Sequence, residues 1–177
     1  MQELCYSALD IAVIVSRMHL GCRDKSRILD QIWEKEKVFL HAPYRTNKRK
    51  FILDIYQWSQ YFYDKPIIDR EIPAIQKDLE HINRTLLAEE LTSDFSDLDL
   101  FFKSIRIRIL YGYGNDYVRI KLRTLLKKYG YKRRSQLCLQ HINRRMLFYH
   151  LEATLPGGVP CTIEDIDLDQ MLTFRVI

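Results

Sequence analysis

The fold is decided by residues 118–153, which read VRIKLRTLLKKYGYKRRSQLCLQHINRRMLFYHLEA. Apolar residues that recur at steps of three and four lie on one side of a helix. One such stripe consists of Val118, Leu122, Leu125, Leu126 and Tyr129, and a second of Leu139, Ile142, Met146, Tyr149 and Ala153. Gly130 ends the first pattern, and Ser135 is a favoured residue at a helix start. The stretch therefore predicts two consecutive helices, from Val118 to Gly130 and over residues 135–153.

The residues after this helix pair carry the pattern of a β-hairpin. Pro156-Gly157-Gly158 stops the second helix, because proline lacks the N–H that a helix needs and glycine favours turns. Two later segments, Cys161 to Ile163 and Leu172 to Val176, have the size and β-branched character of short strands. The last third of the chain is therefore predicted to run helix, helix, hairpin.

The residues before position 112 are predicted to be helical. Apolar stripes at helical spacing run through residues 4–18, 28–39, 51–62, 75–86 and 98–109. In the last of these, Ile105, Ile107 and Ile109 also alternate, so a strand over 104–111 is an alternative to the favoured helix. Glycines 112 and 114 then mark a break. The predicted fold is mainly α, with a helical bundle over 1–111 and a separate module over 112–177.

Charge is divided very unevenly along the chain. The whole sequence has 28 Lys and Arg against 23 Asp and Glu, a net charge of +5. Residues 103–145 hold 13 basic side chains and one acid, a net charge of +12, whereas the remainder carries −7. Such a concentration of positive charge repels itself unless a polyanion or an acidic surface lies opposite. Nucleic acid is the favoured partner, with an acidic protein surface and a merely solvated helical face as alternatives.

The second predicted helix has a face suited to reading bases. If its apolar stripe is buried, the outer face carries Gln136, Gln140, Asn143 and Arg144. Glutamine and asparagine can bond bidentately to adenine, and arginine to guanine. Basic residues before this helix are suited to contact phosphates. They are Arg119, Lys121, Arg123, Lys127, Lys128, Lys132, Arg133 and Arg134.

Residues 117–177 resemble a winged helix-turn-helix domain in the order of their elements and in the basic connection from Gly130 to Ser135. The resemblance implies a non-catalytic, winged-helix-like module that binds double-stranded DNA with its second helix and uses the hairpin as a wing. The connection, at about five residues, is longer than the usual turn of about 3–4 residues. The wing is also acidic, with Glu164, Asp165, Asp167 and Asp169. We expect these acids to face away from DNA, to pair with the protein's own cations in place of phosphate, or to contact a partner.

An enzymatic alternative comes from Arg144, Arg145 and His150. Their spacing resembles the Arg-x4-6-His motif of HEPN ribonucleases, which are helical bundles that cleave RNA without a metal ion. The resemblance implies that the histidine acts at the 2′-hydroxyl and that an arginine stabilises the phosphorane. Both would belong to the second predicted helix.

Other catalytic and metal-binding patterns are missing from the sequence. It has no phosphate-binding G-x-x-x-x-G-K-S/T loop, no G-x-G-x-x-G, no H-E-x-x-H and no G-x-S-x-G. Its cysteines, at positions 5, 22, 138 and 161, form no C-x-x-C pair, so neither a zinc site nor a disulfide framework is predicted. We therefore expect no metal and no cofactor.

Location and partners follow from the remaining residues. No apolar run approaches the roughly 20 residues that span a bilayer, and the first residues lack a secretory signal. These features favour a cytoplasmic protein without a membrane partner. The acidic balance and aromatic content of residues 1–111 suit a protein surface. We expect this region to form a homodimer or to dock onto a larger complex.

Overall fold

The computed structural model describes residues 4–63, 96–128, 131 and 133–177. For residues 61–63, 96–99 and 128 it describes the backbone only. The chain divides into two compact units, residues 1–100 and 101–177. The described residues are mainly helical and include a small three-stranded antiparallel sheet. The predominance of helix is confirmed. The helix predicted over 75–86 lies outside the described residues.

The N-terminal unit is built from helices. They are α1 (Ala8–Ser16), α2 (Cys22–Lys35), the short α3 (Ala42–Arg45) and α4 (Lys48–Tyr63), with a 3-10 turn at Lys37–Phe39. Helix α1 begins with a reciprocal cap, in which the Ser7 hydroxyl accepts from the Asp10 backbone N–H (3.0 Å) and the Asp10 carboxylate accepts from that of Ser7 (2.8 Å). Such a cap satisfies two N–H groups that the helix cannot. Ile11, Ile32 and Phe51, from three of these helices, are fully buried.

The C-terminal unit contains most of α5 (Ser96–Tyr111), which begins in the first unit. It continues with β1 (Val118–Lys121), α6 (Leu122–Lys128), α7 (Gln136–Phe148), β2 (Leu151–Thr154) and β3 (Met171–Val176). The strands lie in the order β1-β3-β2, and β3 pairs antiparallel with both neighbours. The helix favoured over residues 104–111 is confirmed, and the alternative strand there is wrong.

Phe174 is the centre of the apolar packing in this unit. The rings of Phe101 and Phe102 meet it edge to face at 6.2 and 5.9 Å between ring centres. Such aromatic pairs stabilise beyond the area that they bury. Phe174 on β3 is fully buried, as are Leu125 on α6 and Ile142 on α7. The core therefore joins the two predicted helices to the sheet.

Two predicted helices are shorter in the structure, because their outer ends are strands. Residues 118–121 form β1 instead of the first turn of α6, and residues 151–154 form β2 instead of the last turn of α7. Val118 pairs with Phe174, and so does Ala153 from the other side of β3. The predicted helical stripe failed here because four residues fit a helical and a strand period equally well, and long-range pairing decides between them.

The predicted hairpin is correct in its second strand and wrong in its first. Leu172 to Val176 belong to β3, but Cys161 to Ile163 lie in the connection of residues 155–170, which we call the acidic loop. At its tip, Gly157 and Gly158 have positive φ angles of 88° and 80°. Glycine adopts this conformation without a steric penalty. The strand that pairs with β3 at this end is β2, which directly follows α7.

Candidate nucleic-acid interface

Helix α7 starts at a well-formed cap. The Ser135 hydroxyl accepts a hydrogen bond from the Cys138 backbone N–H at 3.2 Å, as the sequence predicted for a helix start. The N-terminus of a helix carries partial positive charge and favours phosphate groups. Arg133, two residues before the cap, is exposed. The start of α7 therefore combines helix N-terminal N–H groups with an exposed arginine.

The two faces of α7 differ in chemistry. Cys138, Leu139 and Ile142 are buried, as the predicted stripe requires. The exposed face carries Gln136, Leu137, Gln140, Arg144 and Leu147. Residues 136–148 contain no Asp or Glu. Three of the four side chains predicted to read bases are thus exposed together on one helix, with no acid of that helix beside them.

Asn143, the fourth, is half-buried and engaged. Its amide nitrogen donates to the Glu164 carboxylate of the acidic loop. The sequence placed Asn143 on the outer face with the others, and only the position of the acidic loop shows that it already has a hydrogen-bond partner.

Arg134 holds the acidic loop rather than projecting freely into solvent. One guanidinium nitrogen donates to the backbone carbonyls of Ile163 (2.8 Å) and Ile166 (2.7 Å). Ile163 and Ile166 are themselves buried. Hydrogen bonds from a charged donor are stronger than those between neutral groups. Arg134, predicted as a phosphate contact, therefore positions the loop next to the start of α7.

Arg123 on α6 is bound to the other end of the acidic loop. Its Nε and Nη2 atoms donate to the two carboxylate oxygens of Asp169 at 2.7 and 2.8 Å. The hydrogen bonds and the nearby positive charge lower the pKa of Asp169, and the pKa of Arg123 is raised. Of the three alternatives for the acids of this loop, pairing with the protein's own cations holds for Asp169, whereas Glu164 accepts from the neutral amide of Asn143.

The other predicted phosphate contacts are dispersed. Lys127 is exposed on α6. Arg119 and Lys121 are exposed on β1, so they belong to the sheet and not to the helix that the sequence predicted there. The side chain of Lys128 and the whole of Lys132 lie outside the described part of the chain.

Four functional candidates were missed by sequence reasoning. Leu137 and Leu147 are 70% and 80% exposed on the face of α7 that carries the glutamines. Tyr117 and Arg175 lie at the sheet, where the Arg119 guanidinium carbon is 4.5 Å and that of Arg175 is 5.7 Å from the centre of the Tyr117 ring. The leucines follow the helical spacing of Gln140 and Arg144 and were detectable. The contact between Arg175 and Tyr117 depends on strand register and was not detectable from the sequence.

The ribonuclease motif is not assembled as its sequence suggests. Helix α7 ends at Phe148, and His150 follows it with a positive φ of 49°, so the prediction that His150 shares the helix of the arginines is wrong. Arg145 is only 4% exposed, whereas Arg144 and His150 are exposed. Arg145 is therefore shielded from a phosphodiester approaching from solvent.

Other chemistry finds little support in the part of the chain that the structure describes. No three His, Cys, Asp or Glu side chains within it converge as metal ligands would. Burial raises the pKa of the Cys138 and Cys161 thiols, which disfavours the reactive thiolate. None of its helices has the length and apolar character to cross a bilayer.

Comparison with protein-family models, with curated proteins and with solved structures finds no match in any of the three.

Proposed function

We propose that the C-terminal unit binds nucleic acid, with duplex DNA as the preferred form, through the exposed face of α7. The observation that carries the proposal is this face itself. Gln136, Gln140 and Arg144 are exposed together on a helix that contains no acid. These side chains can bond to adenine and guanine edges in the major groove.

The order of elements supports a winged helix-turn-helix arrangement. Two consecutive helices, α6 and α7, lead directly into the antiparallel strands β2 and β3. In such domains the second helix enters the major groove, and the loop between the two strands is the wing. Helix α7 has 13 residues, which is about 20 Å at 1.5 Å per residue. The corresponding wing is the acidic loop.

The acidic loop lacks the basic side chains of a DNA-binding wing, but two of its acids already have partners within the protein. Glu164 accepts from Asn143, and Asp169 is paired with Arg123. The tip of the loop, residues 156–160, has no charged side chain. The side chains of Arg133, Gln140 and Arg144 form no hydrogen bond or ion pair with the described residues. In the proposed complex, Arg133 and Arg144 supply the helix-side contacts, and the acidic loop contributes its neutral tip.

Binding of a labelled duplex of about 30 base pairs across a salt series tests the proposal. Each phosphate neutralised on B-DNA contributes about 0.9 to the slope of log affinity against log salt. The double variant Arg133→Gln/Arg144→Gln should reduce that slope by up to about 1.8. The matched control, Arg17→Gln/Arg23→Gln, removes two exposed arginines from the N-terminal unit and should change it little. Equal slopes for wild type and the α7 variant would contradict the proposal.

A second candidate function is protein binding through the same helix. Leu137 and Leu147 are 70% and 80% exposed, and apolar side chains at the centre of a surface are typical of protein interfaces. Sedimentation velocity of the wild type and of Leu137→Gln/Leu147→Gln tests whether this face joins two copies. Self-association that the variant abolishes, together with no duplex binding by the wild type, would favour this function over the first.

A further inference from the structure

The outer face of the three-stranded sheet carries a second set of cations, separate from α7. Direct partners across an antiparallel pair project on the same side of a sheet. Arg119 pairs with Thr173 and Lys121 with Met171. Arg175, two positions after Thr173, projects on the same side as Arg119. This face is opposite to the one on which Phe174 packs against α5.

The two arginines are held close together by a tyrosine. The Nε of Arg119 donates to the Thr173 hydroxyl at 3.3 Å, which directs the side chain across β1 towards β3. The guanidinium carbons of Arg119 and Arg175 lie 4.5 and 5.7 Å from the centre of the same Tyr117 ring. An aromatic ring attracts a guanidinium placed over its face. Tyr117 thus keeps both positive charges within one small area.

The cations of this area have no ion-pairing partner in the described part of the chain, although Glu152 projects on the same face. Arg119, Lys121 and Arg175 form no ion pair with any described residue. Glu152 is directly across from Arg175 in the strand register but is not ion-paired with it. Asp169, whose pKa Lys121 helps to lower, is itself bound by Arg123. Arg119 and Arg175 carry like charges at one ring without an ion pair, which is unfavourable, and a bound anion would relieve the repulsion.

We propose that this outer sheet face is a second nucleic-acid contact, in which Arg119 and Arg175 bind backbone phosphate and Lys121 extends the contact along the strand. Guanidinium groups match phosphate geometry because their planar N–H groups can donate in pairs. The face is polar apart from Met171, whereas the centre of a protein interface is depleted of charge and rich in apolar area. The chemistry therefore favours a phosphate backbone over a protein partner.

The test compares three double variants of the full chain in the duplex-binding assay. The sheet variant is Arg119→Gln/Arg175→Gln, and the helix variant is Arg133→Gln/Arg144→Gln. Arg17→Gln/Arg23→Gln is the control for the loss of two charges. We expect the sheet variant to lower the salt slope by up to about 1.8 while it remains folded by circular dichroism, with no such loss of slope in the control.

The possible results separate this inference from the proposed function. Loss of slope in both the sheet and the helix variants supports both. Loss in the helix variant alone overturns the sheet contact and leaves the function of α7 standing, whereas loss in the sheet variant alone supports the sheet contact and overturns α7. An unchanged slope in both, or an equal loss in the control, overturns the sheet contact.

Tyr117 gives an independent readout as a positioning residue. Tyr117→Leu keeps every cation, so the salt slope should stay at its wild-type value while affinity falls several-fold through loss of the ring. Tyr117→Phe keeps the ring and should restore wild-type affinity. Equal duplex affinities for wild type and Tyr117→Leu would show that Tyr117 does not position the cations of the proposed contact.

Discussion

Several cations of the N-terminal unit are paired with carboxylates, whereas most of the exposed cations described in the C-terminal unit are not. In the first unit, Lys48 is 3.0 Å from Asp30 and 3.7 Å from Glu34, and Lys50 is 2.9 Å from Asp54. The Lys48 pKa is raised, chiefly by its hydrogen bond to Asp30. In the second unit, Arg123 is paired with Asp169, but the exposed arginines at 119, 133 and 144 form no ion pair with described residues.

This difference separates two uses of positive charge. An exposed ion pair contributes little to stability, but it neutralises the local field. Unpaired cations keep their field, which extends about 10 Å at ordinary ionic strength and attracts polyanions. The contrast between the units is consistent with the proposal that the second unit binds nucleic acid, and removing particular residues should weaken or strengthen it.

The largest expected effect comes from disrupting the apolar core of the second unit. Phe174→Ala deletes a fully buried ring that contacts Phe101 and Phe102. Substitutions of this kind cost about 3–5 kcal/mol. Urea denaturation measures the change, and Ile177→Ala, at a side chain that is 73% exposed, is the control. A loss equal to that of the control would show that Phe174 is not the centre of this core.

The cap of α7 should have the next largest effect. Ser135→Ala removes the hydroxyl that accepts from the Cys138 N–H, and such changes cost about 1 kcal/mol. Ser7→Ala removes the equivalent group of α1 and should cost a similar amount. The difference between units lies in binding, because only Ser135→Ala should weaken duplex affinity. Equal duplex affinities of the two variants would show that the cap of α7 does not contribute to nucleic-acid binding.

The charge contrast predicts stability changes of opposite sign in the two units. Arg133→Gln/Arg144→Gln relieves repulsion and should raise the melting temperature at low salt by about 1 °C, which corresponds to a few tenths of a kcal/mol. Lys48→Gln removes the cation beside Asp30 and Glu34 and should lower it slightly. Both shifts should shrink in high salt. Shifts of the same sign would contradict the contrast.

The smallest expected effect is the pH dependence of the acidic loop. Because the folded-state pKa of Asp169 is lowered, its contribution is present above the ordinary aspartate pKa of about 3.9. It is lost as the pH falls through the lower folded-state value. The protection of residues 155–170 against hydrogen exchange, relative to the intrinsic exchange rate at each pH, should therefore fall on acidification in the wild type. In Asp169→Asn this protection should already be lower at neutral pH, and equal protection in the two proteins would show that the ion pair does not stabilise the loop.

Much of the helical structure was predictable because its signals are local. The apolar stripes correctly predicted α1, α2, α4, α5 and the body of α7, and Ser135 correctly marked the start of α7. Each signal lies within a few residues of the element that it defines. The same holds for the exposed position of Gln136, Gln140 and Arg144, since the buried stripe of α7 determines its outer face.

The sequence by itself determined the helical class, the uneven charge and the chemistry of the α7 face, because these depend on composition and on period. Tertiary structure alone decided that residues 118–121 and 151–154 are strands, since their hydrogen bonds are made with β3, distant in the chain. It also decided that Arg123, Arg134 and Asn143 hold the acidic loop, while Arg119 and Arg175 meet on one tyrosine ring. The local sequence does not distinguish a side chain that holds the loop from one that faces solvent. Its partner is distant in the chain, and only folding brings the two within hydrogen-bonding distance.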